Sequence, residues 1–360
     1  MPFYNALKVF KAHENKNWQI EQYKDPQEKL DFIARRLIEL KNGLRVIPHK
    51  TVSQTLLLAT WNLREFDSNG KKNGPRLEES FYYIAEVINA FDIVALQEIR
   101  EDLAPLKKVL KILGPSWDYF ATDITVGLSG NNERMAFVYD KSKVFFTNVA
   151  GEIVLPEKKG ATVKQFARTP YLVSFQAGWL KLNLCTVHIY YGSGKKVERR
   201  IKEIGDVSMF FKDRADKTKE DYVLLGDFNI VGRQDKTMKA LLKGNFKIPP
   251  ELANYAKGSN LDRSKYYDQI VYRDNLNRIQ FTKNAGVFDY YQYVFRDKDM
   301  NVYKKEYNFL RRYNKKKSIP KMTPKIFREW KTFQMSDHLP LWVEFRIDFS
   351  YRYLNGLKKK

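Results

Sequence analysis

Eight polar residues stand at the ends of short apolar runs. Asn62 closes TLLLATW, Glu98 follows DIVALQ, and His188 ends LKLNLCTVH. Asp227 and Asn229 follow YVLLG, Asp268 begins DQIVY, and Asp337 and His338 precede LPLWVEF. Imidazoles and carboxylates move protons near neutral pH. Carboxylate and amide oxygens hold hard cations. Strand ends are where a sheet presents side chains to a cleft, so these residues are placed to converge. Each alone has a plainer reading. GDFN (226–229) and SDH (336–338) have the composition of ordinary turns. A lone histidine is more often a satisfied structural residue than a catalyst, and Asn62 or Glu98 suits a loop cap or a surface charge. The information lies in their order along the chain.

The elements that must position them alternate in period. Runs at 55–61, 92–97, 135–140, 171–176, 180–189, 221–228, 268–273 and 339–347 read as strands. Helical spacing joins Leu77, Phe81, Ile84, Ala85 and Ile88; Leu103, Leu106, Val109, Leu110 and Leu113; and Val197, Ile201, Ile204, Met209 and Phe211. Strands alternating with helices make an α/β chain. Residues 1–54 read as an extension with one amphipathic helix after Asp25-Pro26, ended by Asn42-Gly43. Its stripe, Leu30, Ile33, Ala34, Leu37, Ile38 and Leu40, is expected to dock on the main domain. Residues 55–350 read as one domain without repeats, followed by a basic tail at 351–360. The tract at about 296–335 reads as a loop-like basic insertion.

Composition narrows the class. Of 360 residues 43% are hydrophobic, which rules out bulk disorder. The one cysteine, Cys185, cannot form an internal disulfide and reads as a small buried hydrophobe. With no evident leader, no run long enough for a transmembrane helix and no disulfide framework, a cytoplasmic location is expected. The net charge of +22 predicts attraction to nucleic acid or an acidic membrane. Residues 296–360 hold 18 Lys and Arg against 7 Asp and Glu, half of that excess. Their interleaved aromatics suit phosphates and stacked bases.

The ordered set WNLREF (61–66), DIVALQEIRE (92–101), NERMAF (132–137), FARTPY (166–171), VHI (187–189), GDFN, YDQI (267–270) and SDHLP (336–340) resembles the endonuclease/exonuclease/phosphatase superfamily. The resemblance covers about residues 55–347 and is nearest to the pancreatic-type deoxyribonuclease branch. It implies a four-layered α/β sandwich of two packed mixed sheets flanked by helices. It also implies phosphate-ester hydrolysis with a divalent metal, usually Mg²⁺. Mn²⁺ is a compatible substitute, and Ca²⁺ a compatible structural or auxiliary ion.

The resemblance carries roles residue by residue. Glu98 is the expected main metal ligand, with Asn62 beside it and Asp337 reaching the same region or a second ion. His338 is the expected general base, oriented by Asp268. His188 faces the phosphate from the other side, as a hydrogen-bond donor or general acid, with Glu133 as its carboxylate partner; the sequence leaves open which histidine is base and which is acid. Asp227 and Asn229 hold the attacking water and a phosphate oxygen. Arg168 clamps a phosphate oxygen, Arg100 is expected to enter the DNA minor groove, and Arg134, nearby in sequence, is expected to bind substrate as well. Two features depart from that branch. Asn131 stands where a stacking tyrosine is usual, and the chain lacks the secreted relatives' disulfides, as an intracellular or bacterial-type member would.

The expected activity is therefore DNA endonuclease cleavage with little sequence preference, RNA remaining open as a substrate. Two alternatives use the same residues. One is a phosphoinositide phosphatase or sphingomyelinase-like phosphoesterase at an acidic membrane. The other is a catalytically silent nucleic-acid-binding protein.

Overall fold

The computed structural model describes residues 1–7, 26–66, 75–125, 132–155, 165–192, 194, 197–313 and 320–358. The chain opens with α1 (Pro26–Gly43), β1 (Thr55–Phe66), α2 (Glu78–Asn89), β2 (Ile93–Arg100) and α3 (Ala104–Leu113). Next come β3 (Trp117–Ala121), β4 (Glu133–Asp140), β5 (Phe145–Glu152), β6 (Tyr171–Ala177) and β7 (Leu180–His188). Then follow α4 (Val197–Thr218), β8 (Tyr222–Asp227), α5 (Lys236–Leu242), α6 (Pro250–Ala253), β9 (Asp268–Arg273) and β10 (Phe281–Val287). The chain closes with α7 (Met300–Tyr313), α8 (Pro324–Gln334), β11 (Leu341–Arg346) and α9 (Ser350–Leu357).

The strands form two mixed sheets, ordered β10-β11-β1-β2-β4-β3 and β5-β6-β7-β8-β9. Each has one parallel inner pair, β1 with β2 and β7 with β8, among antiparallel neighbours. A parallel pair needs a crossover, and α2 and α4 supply them. Along β8, Val223 and Leu225 join the core shared with the first sheet, whereas Tyr222 and Leu224 face α4 and α5. That two-residue alternation sandwiches each sheet between apolar layers. Ile33, Leu37 and Leu40 of α1 are buried in the larger core, so that side of the helix docks on the sandwich, whereas Ile38, expected in the stripe, is exposed. Asp25, its expected cap, lies outside the described residues.

Three strands escaped the sequence reading: β3, β5 and β10. All three are sheet edges. β5 is largely exposed and β10 carries Lys283-Asn284 midway. Edge strands have a neighbour on one side only, so polar residues are tolerated and blunt the apolar signal. The basic tract is corrected more substantially. It contains two helices, α7 and α8, in place of a loop. Tyr303, Tyr307, Phe327 and Trp330 are buried at helical spacing among the charges. Thr323 caps α8 through Ile326 N, and Pro324 occupies the first turn. Lys315, Lys316 and Lys317 lie outside the described residues. Along α4 the buried stripe runs through Ile204, Val207 and Phe211, with Val207 in place of Met209.

One buried acid away from the strand ends gives a pH-dependent stability. Burial pushes Glu86 of α2 up to about 7 from an ordinary 4.5, despite Lys41 Nζ at 3.7 Å and a hydrogen bond from the Tyr4 hydroxyl. Between those values the native state holds a proton that the unfolded chain has released. Stability therefore falls as pH rises from about 4.5 to about 7. Glu86→Gln is expected to remove that slope and to stabilise the protein above neutrality by roughly 2–4 kcal/mol. Urea midpoints of both proteins across this range test it; parallel curves would refute it.

Candidate active site

The C-terminal ends of both parallel pairs meet at one edge of the sandwich. In the first sheet Asn62 pairs with Gln97, just before Glu98. In the second, His188 pairs with Asp227, which pairs with Asp268. Asn62 Nδ2 joins the sheets, donating to Glu98 Oε1 at 2.9 Å and Asp227 Oδ2 at 3.1 Å. The antiparallel neighbours start at the same edge. Glu133 is the first residue of β4, Asp268 the first of β9, and Asp337-His338 lead into β11.

The backbone is bent to aim these groups. Register shifts interrupt β1/β2 between Asn62 and Phe66, and β2/β4 between Leu96 and Ile99. Arg64, Glu65, Glu98 and Asn229 have φ of 43°, 46°, 59° and 54°. Non-glycine residues there carry about 1–3 kcal/mol of strain each, and such residues gather at functional sites. Glu98 is held in its turn by the Glu65 N–H, which donates to Oε2 at 2.8 Å. Gly226 has a separate reason to be glycine. Its φ is +135°, and a Cβ would stand 2.2 Å from the Val187 carbonyl oxygen. Gly226→Ala must push β7 from β8 beside His188 and Asp227. A loss of about 3 kcal/mol in denaturant stability is expected; a loss below about 1 kcal/mol would contradict the close approach.

Two histidine–carboxylate pairs face each other across Asp227. His188 Nδ1 lies 2.8 Å from Glu133 Oε2, and His338 Nδ1 lies 2.8 Å from Asp268 Oδ2. Their Nε2 atoms approach the same oxygen, Asp227 Oδ2, at 3.6 and 3.7 Å. His188 Nε2 also stands 3.9 Å from Glu98 Oε1. Burial and the Arg168 charge disfavour a proton on His188, but Glu133 and Asp227 outweigh them and raise its pKa. For His338 burial is again opposed, here by Asp268, Asp227 and Asp337, and the rise is larger.

A layer of hydrogen bonds holds these groups. Ser259 Oγ donates to Asp268 Oδ2 at 2.6 Å, and the Asp268 N–H donates back to Ser259 Oγ at 3.0 Å. Ser336 Oγ donates to the Asn62 carbonyl at 2.5 Å and accepts from the His338 N–H at 2.9 Å. Tyr290 and Tyr291 hydroxyls and Trp61 Nε1 donate to the carbonyls of Ser336 and His338. Sequence reasoning did not single out Ser259, Tyr290 or Tyr291. The aromatic run in DYYQY was a usable signal; Ser259, in an unremarkable loop, gave none.

The remaining expected residues divide. Asn229 Nδ2 donates to the Ile189 carbonyl at 2.7 Å, and its N–H donates to Asp227 Oδ1 at 2.8 Å. Asn62 Oδ1 accepts from the Arg64 N–H at 2.9 Å. Asp337 is 41% exposed, with Arg64 at 3.7 Å. Arg168 places Nε 2.7 Å from Glu133 Oε2, and Arg100 places a nitrogen 3.7 Å from Glu133 Oε1. Arg134 instead bonds the Thr122 carbonyl and Asp123, apart from this group. Asn131 lies outside the described residues.

The donor chemistry suits a hard, hydrated cation. Among the described residues no three His, Cys, Asp or Glu side chains close into a cage. Mg²⁺ keeps several waters and needs only one or two carboxylates. Glu98 and the half-buried Asp337 supply oxygen donors of that kind.

Comparison with known proteins agrees with this architecture. No family model matches the chain. Its sequence is 25% identical over 182 residues to deoxyribonuclease-1 of Equus caballus, covering 49% of this chain and 62% of the horse protein. It is 23% identical over 248 residues to deoxyribonuclease-1 of Bos taurus, covering 66% and 84%. The endonuclease/exonuclease/phosphatase from Bacteroides vulgatus superposes with a TM-score of 0.52 at 13% identity, over 83% of this chain and all of that one. A family protein from Bacteroides thetaiotaomicron gives 0.50 at 17%, over 82% and 98%. The chain thus has the fold of endonuclease/exonuclease/phosphatase proteins and a sequence similar to deoxyribonuclease-1.

Proposed function

We propose that the chain is a divalent-metal-dependent phosphodiesterase that cleaves DNA with little sequence preference. The observation that carries this reading is the convergence of two histidine–carboxylate pairs on Asp227 Oδ2, beside Glu98. Two imidazoles on opposite sides of one point suit a displacement in which one takes a proton and the other gives one. His338 is assigned the accepting role, because Asp268 fixes its far nitrogen at 2.8 Å and its Nε2 faces Asp227 Oδ2 at 3.7 Å. His188 has the Arg168 charge behind it, which helps it release a proton to the leaving oxygen. Asp268 and Glu133 fix the two rings through Nδ1 and steady their positive charge. Asp227 holds the attacking water between the Nε2 atoms.

Glu98, with Asp337, would hold the cation, which when bound offsets the charge of the phosphate and of the leaving oxygen. Asn62 acts here as a positioning residue that aims Glu98 and Asp227. Asn229 acts on Asp227 through its backbone N–H. Arg168 and Arg100 supply positive charge at the Glu133 side, where a phosphate oxygen would sit. The net charge of +22 favours a polyanion.

Purified protein incubated with plasmid and Mg²⁺ or Mn²⁺ is expected to nick and linearise it, and EDTA to stop the reaction. Phosphoinositide and sphingomyelin vesicles run in parallel. Intact plasmid in both metals, with phosphate or phosphocholine released from the vesicles, would replace this reading with the membrane one.

A further inference from the structure

We propose that Tyr191 is a stacking platform for an unpaired nucleobase flanking the scissile phosphate, so that single-stranded nucleic acid is the preferred substrate. The proposal rests on the phosphodiesterase reading for its scissile bond, but not for the stacking itself. Tyr191 lies three residues beyond His188, on the segment that leaves β7. That segment is fastened to the GDFN turn on both sides of Ile189. Its N–H donates to the Asp227 carbonyl at 2.8 Å, and its carbonyl accepts from Asn229 Nδ2 at 2.7 Å.

The ring itself is held. The Arg200 guanidinium carbon stands 4.9 Å from its centre. Arg200 is buried and anchored by a 2.6 Å hydrogen bond to the Asn229 carbonyl. Tyr267 meets the Tyr191 ring at 6.1 Å and 88°, and Tyr267 packs 5.6 Å from the His338 imidazole. One chain of ring contacts therefore runs from the proposed base to Tyr191. Held in this way, Tyr191 still leaves 48% of its surface exposed.

An exposed aromatic ring fixed beside a phosphate site suits a ligand that has both a phosphate and a flat π face. Nucleotides have both, whereas an inositol headgroup offers no such face. Because the ring is already ordered, a stacking partner meets a reduced entropic cost. Bases inside a duplex are already stacked on both sides. They reach the platform only after unstacking, which a single strand does at little cost.

The test uses the full chain, a fluorescent oligo-dT of about ten nucleotides, and an oligomer of equal length with every base replaced by tetrahydrofuran. Anisotropy in EDTA measures binding without turnover, and Mg²⁺ then starts cleavage. The wild type is expected to bind oligo-dT about tenfold more tightly than the base-free oligomer. Tyr191→Ala is expected to bring that ratio near one, and Tyr191→Trp to keep it. Oligo-dT is also expected to be cut faster than its duplex with oligo-dA, with the advantage lost in Tyr191→Ala. A ratio near one in the wild type, a ratio that survives Tyr191→Ala, or faster cutting of the duplex would overturn the proposal. Base-dependent binding that vanishes in Tyr191→Ala, without cleavage of oligo-dT, its duplex or plasmid in Mg²⁺ or Mn²⁺, would support the platform and defeat the hydrolytic reading instead.

Discussion

His338→Ala is expected to lower DNA cleavage by roughly 10³-fold, within the range for losing a positioned acid–base group. The expectation comes from geometry. His338 Nε2 faces Asp227 Oδ2 at 3.7 Å while Asp268 fixes the far nitrogen at 2.8 Å. Alanine leaves the attacking water without an acceptor, and leaves the buried carboxylates of Asp227 and Asp268 without the imidazole between them. Part of any loss will therefore be structural. Circular dichroism and a melting curve on the same preparation separate folding from turnover. His338→Gln provides a milder replacement that keeps polar bulk in the pocket. Single-turnover cleavage at saturating Mg²⁺ is the deciding measurement. A folded His338→Ala or His338→Gln protein cutting within threefold of wild type would remove His338 from the mechanism.

Glu133→Ala is expected to be the most destabilising change at the site, by about 3–5 kcal/mol. The Glu133 carboxylate stands 2.7 Å from Arg168 Nε and 2.8 Å from His188 Nδ1, and all three side chains are nearly buried. Removing it leaves the Arg168 guanidinium without its carboxylate in a poorly solvated place. Only the histidine part of the loss depends on pH. Because the folded state raises the His188 pKa, that pair's contribution is fully present below about 6.5 and fades as pH rises through the raised value. The penalty of Glu133→Gln, which keeps the shape, should therefore be larger at about pH 5.5 than at about pH 9. Guanidinium denaturation at both values measures it. An equal penalty at both would show that His188 gains no protonated-state stability from Glu133.

The inner architecture was legible because inner strands are covered on both sides. β1, β2, β7, β8 and β11 read as continuous apolar runs, and their terminal polar residues stood out against that background. The same contrast failed at the sheet edges, where β3, β5 and β10 mix exposed and covered positions. It failed again in α7 and α8. There lysines and arginines outnumber the buried aromatics and hide their helical spacing. At the site, the paired histidines and carboxylates followed from motif order. What sequence could not supply was how the polar groups are occupied. Asn62 and Asn229 had been expected to face metal and substrate, yet their side chains bond Arg64, Glu98, Asp227 and Ile189. Arg134 had been expected to bind substrate, and its guanidinium bonds the Thr122 carbonyl and Asp123. Such choices depend on which backbone groups a closed fold leaves near each side chain, and no local pattern encodes that.

The edge where the two sheets meet has a consequence for how activity arises. Asn62, Glu98, Glu133, His188, Asp227, Asp268 and His338 come from strand ends scattered over most of the chain, and Asn62 bridges one sheet to the other. Neither half of the sandwich holds both imidazoles together with Glu98. Contacts between residues so distant in sequence are among the last a folding chain can secure. Turnover during refolding should therefore lag the recovery of helical and strand signals. An assay of it would count only those molecules whose halves have closed on each other.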